Sequence, residues 1–418
     1  MPCRFLAIIL LLGATIYTFL EAESSLRGEL DSSVQNNILI DPKQDQIKLE
    51  STKQDLTSTV SKPLYSTGFG RALYFLYGGQ FDFYLDNLEG SDELWGTRTL
   101  YAVRVSPEIG LGIGKHSVMF GGFLLQNMGA STFPTKANIS TYYAYNSECF
   151  SAYLGIFPRT KWQGMYPLSF FRKDFLFFTP NSNGMALQYH SKPSLIHTSG
   201  EFIFDWFGGN LAKRYDEFFA LFEGKVMLWD TLYVRANGLV YHFKNADVLG
   251  QDGAYDPNNP NSPDTQLMDR ILYNFTLGAS FVRFLPYLDR ADIGFSALGQ
   301  LERKRRMSGL GAFYSGIGYQ LDVALAYKGF GIEESYYFGK PQMRYFSEYG
   351  EGFYDGLPLY QATAFNRINA YYEYKNDFLK LNVSFMFYTF SSNLALQQML
   401  TLTFDTHKLF APKLLRRF

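Results

Sequence analysis

Strand-like segments in this chain are joined by two kinds of connection in alternation, turns of two to five residues and long polar loops, from Arg71 almost to the last residue. An up-and-down meander with one tight rim and one loose rim is what a membrane β-barrel requires, because its periplasmic turns are short and its extracellular loops long. Tight turns are expected at Lys115-His116, Asn146-Ser147-Glu148, Lys192 to Ile196, Asp230-Thr231, Pro286-Tyr287, around Gln320 and at Asn376-Asp377. The longest loops are expected from Pro158 to Asn183, Lys244 to Leu267 and Lys340 to Gln361, and shorter ones from Asp86 to Gly96 and Met128 to Asn138.

Between these connections the sequence has period two, the repeat of a strand with two unlike faces. Leu379, Leu381, Val383, Phe385 and Phe387 alternate with Lys380, Asn382, Ser384 and Met386. The same holds for Tyr273, Phe275, Leu277, Ala279 and Phe281 against Asn274, Thr276, Gly278 and Ser280, and for Ile293, Phe295 and Ala297 against Asp292, Gly294 and Ser296. Counting along the chain gives about sixteen strands, with fourteen to eighteen open, from near Arg71 to near Phe410. An even number returns both ends to one side. The expected fold is therefore all-β, a transmembrane up-and-down antiparallel barrel over residues 68–418. Soluble sandwiches and propellers also alternate. Here, however, the apolar face is aromatic near strand ends, at Phe202, Phe204, Trp206, Tyr372 and Tyr374, as interfacial girdles are. Several strands, including Arg214 to Trp229 and Met268 to Leu285, also look longer than the five or six residues usual in globular sheets.

Composition narrows the classes further. The 40 Phe, 31 Tyr and 37 Gly are high, yet the net charge is only -1, which gives no reason to expect a nucleic-acid partner. Beyond the N-terminus no apolar run approaches the roughly 20 residues of a membrane helix, so any membrane signal lies in strands. Residues 1–22 read as a signal peptide, with Arg4 before an apolar stretch that reaches about Leu20, an uncleaved anchor being the alternative. Residues 23–67 are polar and read as a flexible periplasmic leader, or as a plug entering the lumen. Cys149 alone would stay in the mature chain, so no intramolecular disulfide is expected.

If the apolar parity faces lipid, the other parity lines a lumen. The pore-lining charges are then Asp82, Arg104, Glu108, Glu223, Lys225, Arg235, Asp292, Arg367, Glu373 and Lys380, with Gln80, Ser106, Asn237, Gln300 and Asn369 among them. Opposed charges across a narrow bore set up a transverse field that orients polar solutes. They could instead pair and fill a closed interior, although sixteen strands leave an aqueous channel where eight do not. The loop from Pro158 to Asn183 carries Trp162, Tyr166, Phe170, Phe171, Phe175, Phe177 and Phe178, too apolar for a solvated tip. It is expected to fold inward as a constriction, with Arg172, Lys173 and Asp174 toward the channel, although simple loop packing explains the same residues.

Other signals are weaker. Asp252, Asp256, Asn258, Asn259, Asn261 and Asp264 could supply oxygens to Ca²⁺, but turn-forming residues in a solvated loop explain them as well. The run Arg303-Lys304-Arg305-Arg306 could meet lipopolysaccharide phosphates, or be a solvated loop. None of the five His lies in a catalytic motif, and Gly294-Phe-Ser-Ala-Leu-Gly breaks the nucleophile-elbow spacing. No catalytic residue, cofactor or metal is expected.

Near the C-terminus Leu400, Leu402, Phe404 and Phe410 share one parity and the chain ends at Phe418, which resembles the terminal β-signal of outer-membrane proteins. Ala411-Pro412 breaks the strict alternation. Met165-Tyr-Pro-Leu-Ser-Phe-Phe, ending in Thr179-Pro-Asn-Ser-Asn-Gly, looks like a loop of such barrels. From Gly68 to Phe418 the pattern resembles Gram-negative outer-membrane porin-like barrels, of an uncharacterised kind found in Bacteroidetes-type envelopes. The resemblance implies a bacterial outer-membrane location and passive diffusion of small polar solutes without enzyme activity. It also implies contact with outer-membrane lipid, lipopolysaccharide and the barrel assembly machinery. The alternatives are a surface adhesin or assembly accessory, or a lipid-modifying barrel. Neither the solute nor the oligomeric state is legible.

Overall fold

A computed structural model describes residues 72–92, 95–192, 194–206, 217–244, 267–306, 309–350, 353–391, 393–407 and 413–416. The expectations for residues 1–22 and 23–67, the Asp252 to Asp264 loop and Phe410 lie outside them. Sixteen long strands follow one another: β1 Leu73–Asp92, β2 Trp95–Ile113, β3 His116–Asn127, β4 Lys136–Asn146, β5 Phe150–Pro158, β6 Asn181–His190, β7 Ile196–Trp206 and β8 Phe218–Leu228. The second half is β9 Leu232–Lys244, β10 Leu267–Ser280, β11 Arg290–Arg306, β12 Tyr314–Tyr327, β13 Phe330–Gly339, β14 Ala364–Lys375, β15 Leu379–Phe390 and β16 Asn393–Asp405.

Every strand pairs antiparallel with its sequence neighbours, and β16 returns to β1 with Phe81 opposite Phe404 and Leu85 opposite Leu400. The wall is a closed ladder of sixteen strands. Two short pieces, Gly309–Leu310 and Lys413–Arg416, add to β11 and β1.

The wall is one sheet thick, so each side chain is either enclosed or outside. The enclosed set carries the wall's polar side chains beside buried aromatic ones: Asn274, Thr276, Ser296 and Ser384 are buried, and so are Tyr84, Phe219 and Tyr337. Their outward neighbours Phe275, Leu277, Phe295, Phe385 and Phe387 are exposed, and the same holds for Ile109, Phe120, Leu154, Phe222, Ile317 and Phe330 around the wall. A soluble protein does not present such a continuous apolar belt, since each large side chain left in water forgoes about 1.5–3 kcal/mol. The period-two pattern therefore fixed register and polarity together, because a slip of one residue would turn every side chain over.

The connections depart from the expected alternation in three places. No turn occurs near Gln320, where β12 runs straight through and the reversal comes at Lys328-Gly329, one positive-φ residue after another. Asp86 to Asp92 and Trp95 to Gly96 are strand rather than loop, with Asp86 opposite Leu100. β10 ends at Ser280, short of Leu285, because residues 281–289 form a nine-residue connection. On the loose rim two pairs of strands also stay paired to their ends, Asp92 opposite Trp95 and Phe390 opposite Asn393.

Two loops from the loose rim turn inward, residues 159–180 and 340–363. The first leaves the wall where Gly155 (φ 120°) faces Gly184 (φ 157°) across β5 and β6. A side chain on either would run into a main-chain carbonyl, of Thr141 or of Phe204. Glycine there lets neighbouring strands approach and the chain change course.

A charge on the outer face should be far more damaging than one inside. Phe275→Arg is expected to destabilise the barrel refolded in lipid vesicles by about 2–4 kcal/mol, read from denaturant unfolding. Ser296→Asn, on the enclosed face, should shift the midpoint little.

Candidate functional site

The interior is built around the two inward loops, and each is held by one arginine laid on aromatic rings. Arg159 begins the first loop and is 1% exposed. Its Nη2 meets Asp205 Oδ2 of β7 at 2.7 Å, and its guanidinium stacks over Phe175 at 4.5 Å and Trp162 at 5.2 Å. Glu201, also on β7, accepts hydrogen bonds from the Gln163 and Gly164 N–H groups at 2.7 and 3.0 Å and from Tyr166 hydroxyl at 2.6 Å. On the opposite wall Arg104 binds Asp82 through Nε and Nη2 at 3.0 and 2.7 Å, while its Nη1 donates to the Leu176 and Phe177 carbonyls. Loop 159–180 is therefore fastened at both sides. Phe171, Phe175, Trp162 and Phe219 make the apolar seam between it and the wall.

The second loop mirrors this arrangement. Arg270 of β10 lies over Tyr354 at 4.6 Å and pairs with Glu302 at 3.5 Å, and Glu302 accepts from the Arg344 N–H at 3.1 Å. Tyr241 stacks on Phe353 with centroids 5.4 Å apart. The loops then join each other: Arg172 N–H donates to Asp355 O at 2.6 Å and Leu357 N–H to Leu168 O at 2.8 Å. Burial pushes the Asp355 carboxyl up to about 6 even though Arg270, Arg159 and Arg172 surround it. Phe353, Tyr354, Leu359 and Tyr360 are buried, so this loop packs inward as closely as the first.

Between the first loop and the tight rim lies a cavity of about 180 Å³, walled by β1 to β6 and lined among others by Glu108, Tyr142, Tyr153, Lys161, Gln163, Asp405 and His407. Tyr142 hydroxyl donates to Glu108 at 3.2 Å. His407 closes the floor, its Nδ1 2.7 Å from Asp405 and its Nε2 3.4 Å from Glu108. Burial opposes the imidazolium, but the Asp405 and Glu108 hydrogen bonds outweigh it and raise the His407 pKa.

The charges singled out in the sequence all lie on the enclosed parity, but in different surroundings. Asp82, Arg104, Glu108 and Arg367 are buried, with Asp82 and Arg104 a neutralised pair. Glu223 pairs with Arg235 at 3.3 Å, and Lys225 lies over Tyr233. Asp292 is joined to Glu333 through Arg290, at 2.9 and 2.6 Å. Glu373 and Lys380 sit 3.5 Å apart near the tight rim, both open to water. In the loop, Asp174 binds Arg172 at 3.2 Å and Arg98 at 3.6 Å. Lys173 is water-exposed although protein surrounds it; this crowding, with repulsion from Arg367, brings its pKa down to about 8. Arg303 is not a free rim charge, since it binds Asp269 at 2.7 Å and covers Phe313.

Sequence reasoning missed Arg159, Glu201, Asp205, Arg270 and Glu302, and the inward course of residues 340–363. One sign was available: Tyr345, Phe346, Tyr349, Phe353, Tyr354 and Tyr360 give that loop the same aromatic excess that marked the first.

No protein-family model and no curated protein matches the chain. Among solved structures, OmpF of Salmonella typhi in complex with daunomycin is 11% identical, covering 81% of this chain and 99% of that one, with a TM-score of 0.44. An anion-selective porin from Comamonas acidovorans gives 11%, 80%, 99% and 0.43 for the same quantities, and Pseudomonas putida OprB at high pH gives 10%, 79%, 94% and 0.43. The assignment of a closed barrel rests on the chain's own ladder of strand pairs.

The state of Lys173 can be read chemically. A small amine-acylating reagent at pH 8 should modify it in the folded barrel ahead of the tight-rim residue Lys192, whose pKa is raised by its hydrogen bond to Glu148. Mass spectrometry after brief labelling checks this, and equal or slower modification of Lys173 would count against a water-exposed amine in the lumen.

Proposed function

We propose that the chain is a passive channel of the bacterial outer membrane for small polar solutes, its bore narrowed by two inward loops. The observation that carries this reading is a charged, water-accessible interior inside a closed wall whose outside is apolar: the cavity below the first loop and the exposed Lys173 above it. A wall of sixteen strands encloses more volume than its own side chains fill, so the remaining space belongs to water unless something occupies it. The loops occupy part of it and leave the cavity of about 180 Å³ below the first loop.

On this reading the tight rim is periplasmic and the loose rim extracellular. Asp82 and Arg104 cancel each other and chiefly hold the loop. Selectivity then falls to charges that face water: Lys173 of the constriction, and Lys225, Asp292, Glu373 and Lys380 along the bore. Small dimensions favour small solutes, and fixed charges of both signs favour polar ones. Nothing in this reading calls for a cofactor or an energy source.

Planar-bilayer recording of the refolded protein tests it. Wild type is expected to give stable, small conductance steps. Asp205→Ala removes one partner of a buried pair, a change that costs about 3–5 kcal/mol, and should free residues 159–180 and give larger, noisier steps. A correctly folded, heat-modifiable barrel with no conductance in either form would overturn the channel.

A further inference from the structure

We propose that His407 is a proton-operated clasp on the seam of the barrel, tying the end of the last long strand to the first two strands while its ring is charged and loosening that tie when the proton leaves. The clasp belongs to the wall, so it stands or falls independently of conductance.

The seam changes register where His407 stands. From Glu89 opposite Leu396 to Gln80 opposite Asp405, β1 and β16 keep one register. Thr406 extends it by bonding Gly79 three times: its N–H donates to the Gly79 carbonyl, and its hydroxyl accepts from the Gly79 N–H and donates to the same carbonyl, each at 2.9 Å. When pairing resumes, Phe75 faces Lys413, three residues beyond the place that register would give it. His407 is the last described residue before this step in the closing joint.

Its ring turns inward and crosses the first strand over Gly78, where a Cβ would run into the imidazole. Gly78 stands opposite Glu108 in the ladder of β1 and β2, so the ring spans from β16 to β2. Both ring nitrogens then face carboxylates. Nδ1 and the His407 main-chain N–H meet the same Asp405 oxygen, at 2.7 and 2.9 Å, while Nε2 is enclosed and lies 3.4 Å from Glu108 Oε2, an ion contact. A neutral imidazole has one N–H and would turn a lone pair toward one of these oxyanions; the imidazolium offers a proton to both. Of the other groups packed here, Lys161 of the first loop opposes the ring's charge and Tyr142 of β4 donates to Glu108. Burial opposes the charge as well, yet the two carboxylates prevail and hold the His407 pKa above its ordinary 6.5. A group whose pKa is raised by folding stabilises the fold fully below its unfolded value, and that contribution is lost as pH rises through the folded value. The clasp is therefore closed at acid pH and released at alkaline pH.

The test uses the full refolded barrel in detergent micelles across the range in which histidine titrates. NMR of ¹³C-labelled histidine follows the rings, His407 being the signal lost in His407→Gln. Hydrogen exchange read by mass spectrometry follows peptides spanning residues 73–80 and 400–407. In wild type the His407 ring should titrate above 6.5. Exchange in both peptides, corrected for its intrinsic pH dependence, should quicken about tenfold through the same titration, the loss of one charge-assisted hydrogen bond. His407→Gln should abolish that step. Gly78→Ala, which displaces the ring without removing it, should abolish the step and lower the His407 pKa. If one variant does not fold, the other decides. A wild-type His407 that titrates at or below 6.5, no exchange step in wild type, or a step that persists in a folded variant would overturn the clasp.

Discussion

In hydrocarbon a main-chain N–H or C=O without a partner has no water to fall back on, and each such group costs several kcal/mol. Joining β1 to β16 removes the last open edge of the sheet. The other features follow from that closure. A closed sheet has an outside that must be apolar and an inside that need not be, which is why one parity of the strands is exposed and apolar while the other holds Asn, Ser, Asp and Arg along with the aromatic residues that pack against the loops. It also has an enclosed volume, and the chain uses two of its own loops to shape that volume.

Both loops are held by similar means. Arg159 joins the first loop to Asp205, and Arg270 joins the wall to the second through Tyr354 and Glu302. An arginine suits this role because its flat cation can lie on a ring while its edge satisfies a carboxylate, so charge and apolar surface are buried together. An isolated buried ion pair is a weak source of stability. Stacked in this way, the first pair gives its loop one position, since any other would leave Asp205 enclosed without its cation; in the second, Tyr354 lies on Arg270 and the Arg344 N–H meets Glu302.

Legibility in the sequence followed the range of the interactions. Strand count, parity and the enclosed position of residues such as Glu223 and Asn369 depend on local alternation and were readable. The hairpin at Gln320 was misplaced because Gly316, Gly318 and Gln320 look like turn chemistry, whereas small residues there only make room for Tyr337 and the second loop. The inward turn of residues 159–180 was visible from aromatic excess alone. That of residues 340–363 was not drawn, although the same excess was present. The partners Glu201, Asp205 and Glu302 had no local signature: they read as three more charges on the inward parity, and their roles depend on loops from 35 to 46 residues away in the chain.

The two loops meet through their main chains, Arg172 N–H to Asp355 O and Leu357 N–H to Leu168 O, and Arg104 also grips carbonyls rather than side chains. Main-chain atoms are common to every residue except for the missing N–H of proline. On the proposed channel reading, the width of the aperture would depend in part on groups that most substitutions leave untouched, while side chains such as Lys173, which take no part in these contacts, would set its chemistry. Bore and preference would then be partly separable, so that descendants of such a channel could change what they admit while keeping the main-chain contacts that join the loops.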